Sequence, residues 1–485
     1  MSRIKKALFA FLASSIFAGL ALPGFVSGAV INKNLPNDPF FSNQWSLDNT
    51  GQRVRGVKGL EDIDMDLPEA WEYIEKNFSS REQVIVAVLD SGVNYDHLDL
   101  KDSILRNGGG EVVGHDFIDN DDDPKDNNGH GTIIAGIIAA QKNNRRGIAG
   151  INDMVKIMPV KVLDDAGSGN TAILGEAIIY AVDNGADVIN LSLAGNYDEG
   201  LSEAVSYAYN NGVIIVSASG GEGTNINDGS LKSPLNNEGQ GENQVIGVSC
   251  LTNGGGRYEK SNYGKGVDVS APGTSVISTY SRTDRSYVYA SGTSLAAANV
   301  SGIVSLLKSC YPNLSNAKII EAVINSAAPF TETMEGMGSG TVNGLEALKY
   351  LSDSEEDPEI PENPAERLIR FKDEPTVYFV KDGIRRGIPR PEVLKARGFT
   401  FDDVEVVESK SELEQYVLGK VLGFPAGWVI KGSAPTVFEI QENEIARPFT
   451  NPAPFLSRGH KWEDIMEISD SELLQCYTIG EIIAE

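Results

Sequence analysis

Along residues 84–351 the sequence alternates short apolar runs with segments of helical periodicity, and this alternation restricts the fold more than any other feature. The run Val84–Leu89 is rich in β-branched residues and is followed by Asp-Ser-Gly, which is typical of a buried strand that ends in a turn. The runs Asp187–Ser192 and Val213–Val216 have the same character, and Ala172–Asn184 carries apolar residues at helical spacing. This pattern predicts an α/β fold with a mainly parallel sheet covered by helices on both faces.

Composition excludes several classes of protein. The 485 residues are 41% hydrophobic and 22% charged, which excludes a largely disordered chain. The net charge is −27, and the sequence has no basic stripe, so we expect no nucleic-acid partner. Four histidines and no spaced Cys/His set disfavour a zinc enzyme. The three cysteines are too few for a disulfide scaffold, although Cys250 and Cys310 are a candidate pair.

The N-terminus has the organisation of a secretory signal peptide. Basic residues up to Lys6 precede an apolar stretch from Ala7 to Phe25, and small residues follow at Ser27–Ala29. We therefore predict a signal peptide at residues 1–29, a secreted, extracellular location and a mature protein that does not span a membrane. The alternative is a retained membrane anchor, because the apolar stretch approaches spanning length.

The C-terminal part contains a linker and an internal repeat. Residues 352–366 include seven carboxylates and three prolines, which predicts a solvated, extended linker. Beyond it, Pro375–Tyr378 returns as Pro435–Phe438, sixty residues later. We predict two small α+β modules, 367–424 and 425–485, each with a hairpin, a short helix and a return strand. Small tandem modules of this kind bind a partner more often than they catalyse a reaction. We therefore expect these two modules to bind a protein or a cell-surface ligand.

Three local patterns carry candidate chemistry. Asp90 follows the strand Val84–Leu89, His130 lies between two glycines before an apolar helix, and Ser294 opens an alanine-rich helix. Each pattern alone is weak, because aspartate and serine at such positions more often cap helices. Together they are the nucleophile, base and orienting acid of a serine hydrolase, with helix N–H groups near the serine to stabilise an oxyanion.

The order Asp, His, Ser and the surrounding motifs resemble the subtilisin-like serine proteases (subtilases), in particular the thermitase-like branch. The resemblance runs from about residue 37 to residue 347 and includes motifs such as Pro159–Leu163, Asn184–Leu193 and Val269–Gly273. It implies a three-layer subtilisin-like fold over residues 30–351, with polypeptides as substrates. Peptide bonds would be hydrolysed through an acyl-enzyme on Ser294, with His130 as base and Asp90 as orienting acid.

The resemblance implies two further features. A substrate strand would lie between two edges, formed by Gly167, Ser168 and Gly169 on one side and by Ser192, Leu193 and Ala194 on the other. A structural calcium ion would bind the acidic loop through Asp116, Asp119, Asp121 and Asp123. Independently, alternating carboxylates in a short loop suit a hard cation. The alternative is a plain acidic surface turn.

The sequence also departs from the family. Gly221 stands where the family carries an asparagine that donates to the oxyanion, and Asn225 or Asn227 are alternative donors from the next loop. In subtilisin itself, loss of that donor lowers kcat by about 10²–10³-fold. Ile133, Ala298-Asn299 and Ala194 also replace family residues. The competing hypothesis is therefore a weak or silent subtilase fold that binds partners through its C-terminal modules.

Overall fold

The computed structural model describes most of the chain. The chain divides into two compact units, with the boundary between residues 355 and 356. The described residues are 35–227, 229–237, 243–330 and 333–353 in the first unit, and 367–372, 376–381, 384–409, 412, 416–419, 421–433, 436–441, 445–449, 452–469, 473 and 476–479 in the second. The predicted signal peptide and nearly all of the acidic linker lie outside the described residues. No helix within the described ranges is long and apolar enough to cross a membrane.

The first unit contains fifteen strands and seven α-helices among its described residues. The strands are β1 (Arg53–Val54), β2 (Val57–Lys58), β3 (Val84–Asp90), β4 (His115–Asp116), β5 (Val155–Lys161), β6 (Val188–Leu191), β7 (Gly195–Asn196), β8 (Ile214–Ala218), β9 (Asn225–Ile226), β10 (Lys232–Ser233), β11 (Val245–Leu251), β12 (Tyr263–Gly264), β13 (Val269–Pro272), β14 (Val276–Tyr280) and β15 (Ser286–Ala290). The helices are α1 (Leu67–Asn77), α2 (His130–Ala139), α3 (Thr171–Asp183), α4 (Ser202–Asn210), α5 (Thr293–Cys310), α6 (Asn316–Asn325) and α7 (Gly344–Asp353).

Seven of these strands form one parallel sheet in the order β13-β11-β8-β6-β3-β5-β4. Alternate side chains of β3 enter two different cores. Val86 and Val88 pack with residues of α2 and α5, whereas Ala87 and Leu89 pack with residues of α3 and α4. The side-chain period of two in a strand therefore produces three layers, and the predicted α/β fold with a mainly parallel sheet is confirmed.

Helix α5 lies inside the first core rather than on its surface. Sixteen of its eighteen residues are buried, and it packs against α2 and several strands of the sheet. Alanines and serines at its N-terminal half allow this close approach to neighbouring backbone. Because α5 is fixed over its whole length, its first turn, which carries Ser294, is held rigidly at the edge of the sheet.

The second unit contains two five-stranded sheets with the same arrangement. The first comprises β16 (Arg367–Phe371), β17 (Tyr378–Lys381), β18 (Ile384–Gly387), β19 (Val404–Val407) and β20 (Val417–Gly419), with helix α8 (Pro391–Ala396). The second comprises β21 (Val429–Lys431), β22 (Val437–Ile440), β23 (Ile445–Pro448), β24 (Met466–Glu467) and β25 (Thr478–Ile479), with helix α9 (Pro452–Ser457). The orders β19-β16-β17-β18-β20 and β24-β21-β22-β23-β25 correspond strand for strand, as expected of an internal repeat.

The cysteines correct one hypothesis drawn from the sequence. Cys250, Cys310 and Cys476 are all buried, and the candidate disulfide between Cys250 and Cys310 is not formed. The thiol of Cys250 lies near the turn before α5, whereas Cys310 is the last residue of that eighteen-residue helix. A helix rises about 1.5 Å per residue, so the two thiols lie near opposite ends of an element roughly 27 Å long. This separation is far beyond disulfide reach.

Candidate active site

Asp90 lies at the carboxyl end of the central strand β3 and is completely buried. Its carboxylate accepts from the backbone N–H of Ser91 at 2.7 Å. The Nδ1 atom of His130 lies 2.8 Å from one carboxylate oxygen and 2.9 Å from the other. Because a carboxylate can only accept, Nδ1 carries the proton and Nε2 is left with a free lone pair.

Two glycines allow His130 to reach this position. A Cβ at Gly131 would lie 2.1 Å from the carbonyl oxygen of Gly92 and 3.1 Å from the Cβ of Asp90. Gly129 has a φ of +107°, and a Cβ there would lie 2.1 Å from the ring of Tyr280. A side chain at Gly131 would push the first turn of α2 away from the end of β3, and a side chain at Gly129 would displace the ring of Tyr280 and strain the left-handed backbone.

The environment of His130 makes it more basic than a free imidazole. Burial alone lowers the pKa of His130, but the charge and hydrogen bond of Asp90 outweigh that effect and raise the pKa above its ordinary value. Asp126 raises it further. The ring still retains 26% of its exposure, so its free nitrogen faces the open edge of the site.

Ser294 reaches the same edge from the other side. In the parallel neighbours β3 and β6, Val88 pairs with Asn190, so both strands end on the same side of the sheet, and Ser192 is the first residue after β6. The Ser294 hydroxyl donates to the carbonyl oxygen of Ser192 at 3.0 Å, and the Ser192 hydroxyl donates to the carbonyl oxygen of Ser294 at 2.7 Å. This reciprocal pair anchors the first turn of α5 next to the end of β3.

The turn around Gly221 also lies at this edge. Since Asn190 pairs with Val216, strand β8 ends beside Ser192, and Gly221 follows three residues later. A Cβ at Gly221 would have no heavy atom within 4 Å. The backbone of Gly221 therefore leaves room for a side chain. Gly220 differs, because its φ is +99° and a Cβ would lie 2.6 Å from the Nδ2 atom of Asn262.

The alternative asparagine donors are engaged elsewhere. Asn227 accepts from the N–H of Gly229 within its own loop. Asn225 belongs to β9 and its Oδ1 faces Gly264 on the neighbouring strand β12. The Oδ1 atoms of both side chains therefore make their contacts within this loop and at β12. Asn299, which replaces a family histidine, donates to the carbonyl oxygen of Pro272 at 2.8 Å and is buried.

The two predicted substrate edges flank the site. Ser192, Leu193 and Ala194 continue from β6 and begin at the residue that anchors Ser294. Gly167, Ser168 and Gly169 form a half-buried loop that Asp164 holds, with its carboxylate accepting from the N–H of Ser168 at 2.8 Å. Asn128, two residues before His130, donates to the carbonyl oxygen of Asp165 and ties this loop to the histidine.

The acidic loop does not converge on a common point. Asp116 is buried and pairs with Lys161 at 3.0 Å, and its other oxygen accepts from backbone N–H groups. Asp123 accepts from the hydroxyl of Tyr95, while Asp119 and Asp121 are exposed. Within the described ranges, no three His, Cys, Asp or Glu side chains lie as a group that could hold a metal. The donor chemistry suits calcium, but this conformation does not assemble the ligands.

Asp126 is a site residue that the sequence analysis missed. It is buried and accepts five hydrogen bonds from residues on both sides of His130, from Asn128 to Thr132, and from Ser91. Burial raises the pKa of Asp126, and the hydrogen bonds oppose that effect. An acidic residue just before a helix start is the usual signal of a cap, and that signal could have indicated it.

Comparisons with known proteins agree with this geometry. Residues 81–353 match the model of the subtilase family. The chain is 39% identical over 282 residues to the thermophilic serine proteinase of Bacillus sp. strain AK1, covering 58% of this chain and 64% of that protein. It is 36% identical over 317 residues to thermitase of Thermoactinomyces vulgaris, covering 65% of this chain and 99% of thermitase.

A solved structure shows the same fold. The chain described as a protease from Pseudoalteromonas arctica PAMC 21717 is 30% identical and superposes with a TM-score of 0.55, covering 65% of this chain and 98% of that one. The family match at residues 81–353 lies within the first unit and contains Asp90, His130 and Ser294. On this evidence of sequence, fold and side-chain arrangement, the chain belongs to the subtilase family and to its thermitase-like branch.

Proposed function

We propose that this protein is a secreted serine endopeptidase that hydrolyses peptide bonds through an acyl-enzyme on Ser294. The observation that carries the proposal is the pair of contacts from Asp90 to Nδ1 of His130, which leaves Nε2 free as a base at the edge where Ser294 is anchored. Secretion is supported by the organisation of residues 1–29.

The reaction follows from these positions. As substrate enters, the Ser294 hydroxyl leaves Ser192 and donates to Nε2 of His130, which takes its proton while Oγ attacks the peptide carbonyl. Asp90 stabilises the imidazolium that forms, and that imidazolium then protonates the departing amine. Water hydrolyses the acyl-enzyme with His130 again as base. The N–H of Ser294 belongs to the first turn of α5, which has no intrahelical acceptor, and is available to the oxyanion.

The substrate-binding proposal uses the two edges. A peptide in extended conformation would add as a strand between Gly167–Gly169 and Ser192–Ala194. Both edges lie beside the proposed catalytic residues, one joined to the His130 loop through Asn128 and the other to Ser294 through Ser192. The methyl group of Ala194 borders this cleft, since it lies 3.3 Å from a Cβ position at Gly220.

A fluorophosphonate probe tests the nucleophile. We expect the probe to label the wild-type protein and expect labelling to be lost in Ser294→Ala, because only an activated serine reacts. Ser291→Ala is the matched control, since Ser291 is an exposed serine three residues earlier and should leave labelling intact. Labelling is measured by in-gel fluorescence, alongside turnover of unfolded casein. A folded wild-type protein with neither labelling nor turnover would support the silent binding protein instead.

Gly221→Asn tests the oxyanion position. The open space at Gly221 accommodates the new side chain, and an amide donor aimed at the oxyanion should raise kcat, by up to about 10²-fold on the scale known for subtilisin. Steady-state kinetics on a peptide substrate would measure this gain, with KM little changed. Gly221→Ala adds the Cβ without a donor and should give no gain. A kcat for Gly221→Asn at or below wild type would show that the oxyanion is stabilised by other groups.

Calcium binding by the acidic loop stays a prediction, supported by its oxygen donors and not by their present arrangement. Bound calcium would stabilise the folded state, by about 4 kcal/mol at a thousandfold excess over Kd. We expect calcium to raise the Tm relative to EGTA, and expect Asp119→Asn or Asp121→Asn to abolish the difference. The exposed Asp102 provides the control Asp102→Asn, which should keep it. An equal Tm of the wild type in calcium and EGTA would contradict calcium binding at this loop.

For the C-terminal modules we propose attachment to a cell surface. Each module exposes one aromatic side chain at the same place in its repeat: Phe401 is 57% exposed and Trp462 is 54% exposed, and each begins a 3-10 turn. The Trp462 ring stacks on Phe455 at 4.5 Å, which fixes the ring and leaves its outer face open. Exposed, fixed aromatic rings are typical of binding surfaces.

Binding to intact cells of the producing organism tests the attachment. The double variant Phe401→Ala, Trp462→Ala should remove most of the cell-associated full-length protein, measured by sedimentation with cells and quantification of the pellet. Tyr197→Ala, at an exposed aromatic residue of the first unit, should not change it. If the double variant sediments as wild type does, these aromatic residues are not the contact.

A further inference from the structure

Asp126 forms the centre of a hydrogen-bond network that encloses the His130 loop. One carboxylate oxygen accepts from the N–H groups of Asn128 and Gly129, at 3.0 and 2.7 Å, and from the hydroxyl of Ser91 at 2.9 Å. The other accepts from the N–H of Thr132 at 3.0 Å and from its hydroxyl. All partners are donors, which an ionised, acceptor-only carboxylate satisfies.

The network joins the histidine loop to the strand that carries Asp90. Ser91, the residue after Asp90, donates to Asp126 and accepts from the N–H of Gly131 at 3.1 Å. The backbone on both sides of His130 is therefore tied, directly or through Ser91, to one buried side chain. A residue that only capped α2 would accept hydrogen bonds from the N–H groups of that helix. It would not need the hydrogen bond from Ser91, which joins the histidine loop to β3.

We propose that Asp126 is a positioning residue for the base: it holds the His130 loop against the end of β3 and places a second negative charge near the imidazole. This inference rests on the proposed peptidase function, and it assigns a role to a group outside the Asp–His–Ser set. The charge acts on the same ring as Asp90 does, because both carboxylates raise the pKa of His130.

Several groups face the histidine loop and define the electrostatic environment. Asp90 approaches from β3, Asp126 lies in the loop itself, and Tyr280 approaches from β14 against Gly129. Asp165 lies on the neighbouring loop, where its carboxylate is 3.8 Å from the ammonium of Lys161. Asp90 and Asp126 are the two charges that act on the ring.

The test is the pH profile of kcat/KM for Asp126→Asn. Catalysis needs a neutral His130, so activity falls on the acidic side as the ring is protonated. Removing the Asp126 charge lowers the pKa of His130, and the acidic limb should therefore move to lower pH. The substitution should also weaken the hydrogen bonds that order the His130 loop. A less ordered loop should lower kcat by about tenfold to a hundredfold with little change in KM. Asp102→Asn removes one exposed carboxylate from the same unit and should leave both quantities as in wild type.

A structural role alone would give a different result. If Asp126→Asn remains folded, as judged by its Tm, and its acidic limb stays at the wild-type pH, Asp126 is only a helix cap and the proposal is wrong. If the variant does not fold, Ser91→Ala decides, because it removes the link to β3 and keeps both charges. We expect Ser91→Ala to lower kcat about tenfold at unchanged KM, and an unchanged kcat would overturn the proposal.

Titration of His130 by NMR separates this inference from the peptidase function. The chain has four histidines, so the His130 resonance can be assigned with His130→Ala. If the wild type has no turnover, the peptidase proposal fails, while a lower His130 pKa in Asp126→Asn would still support the electrostatic role of Asp126. An unchanged pKa in the folded variant would contradict that role.

Discussion

The approach of helix α2 to strand β3 at Gly131 is the contact on which the rest of the site depends. Strand β3 lies near the middle of the sheet and is buried on both faces, so the position of Asp90 is fixed by the core. Because Gly131 has no side chain, the first turn of α2 packs directly on the turn after Asp90. His130 then meets a carboxylate that cannot move away, and a single tautomer of its ring is stabilised.

Parallel pairing explains why the remaining groups meet at the same place. Strands β3, β6 and β8 run in one direction, so the residues that follow them leave the sheet at one edge. Ser192 therefore leaves the sheet at the same end as Asp90, and Gly221 follows β8, two strands away from β3, although all three are far apart along the chain. Ser294 lies in the first turn of helix α5, which is buried in the core. The reciprocal hydrogen bonds between Ser294 and Ser192 fix the position of this turn at the same end of the sheet.

The departures from the family affect the periphery of this arrangement more than its centre. Gly221 stands where the family carries an asparagine, and a Cβ at this position would have no heavy atom within 4 Å. The contacts of Asp90 with His130 are intact, and Asn299 keeps a buried hydrogen bond where the family has histidine. The first unit thus keeps the Asp90–His130 contact, and the effect of Gly221 on catalysis stays a prediction.

The fold class and the candidate residues of the first unit can be predicted from the sequence, because strand periodicity and glycine-flanked motifs are local properties of the chain. Val86 and Ala87 alternate between two cores as the pattern predicted, and the Asp90 and His130 motifs do meet. The tertiary structure adds that Asp126 accepts hydrogen bonds from the histidine loop and from Ser91, and that the acidic loop contains a Lys161 ion pair. The tertiary structure also places Cys250 and Cys310 too far apart to form a disulfide. The link from Asp126 to Ser91 and the Asp116–Lys161 pair join residues remote in sequence, whose distances packing sets and periodicity cannot encode.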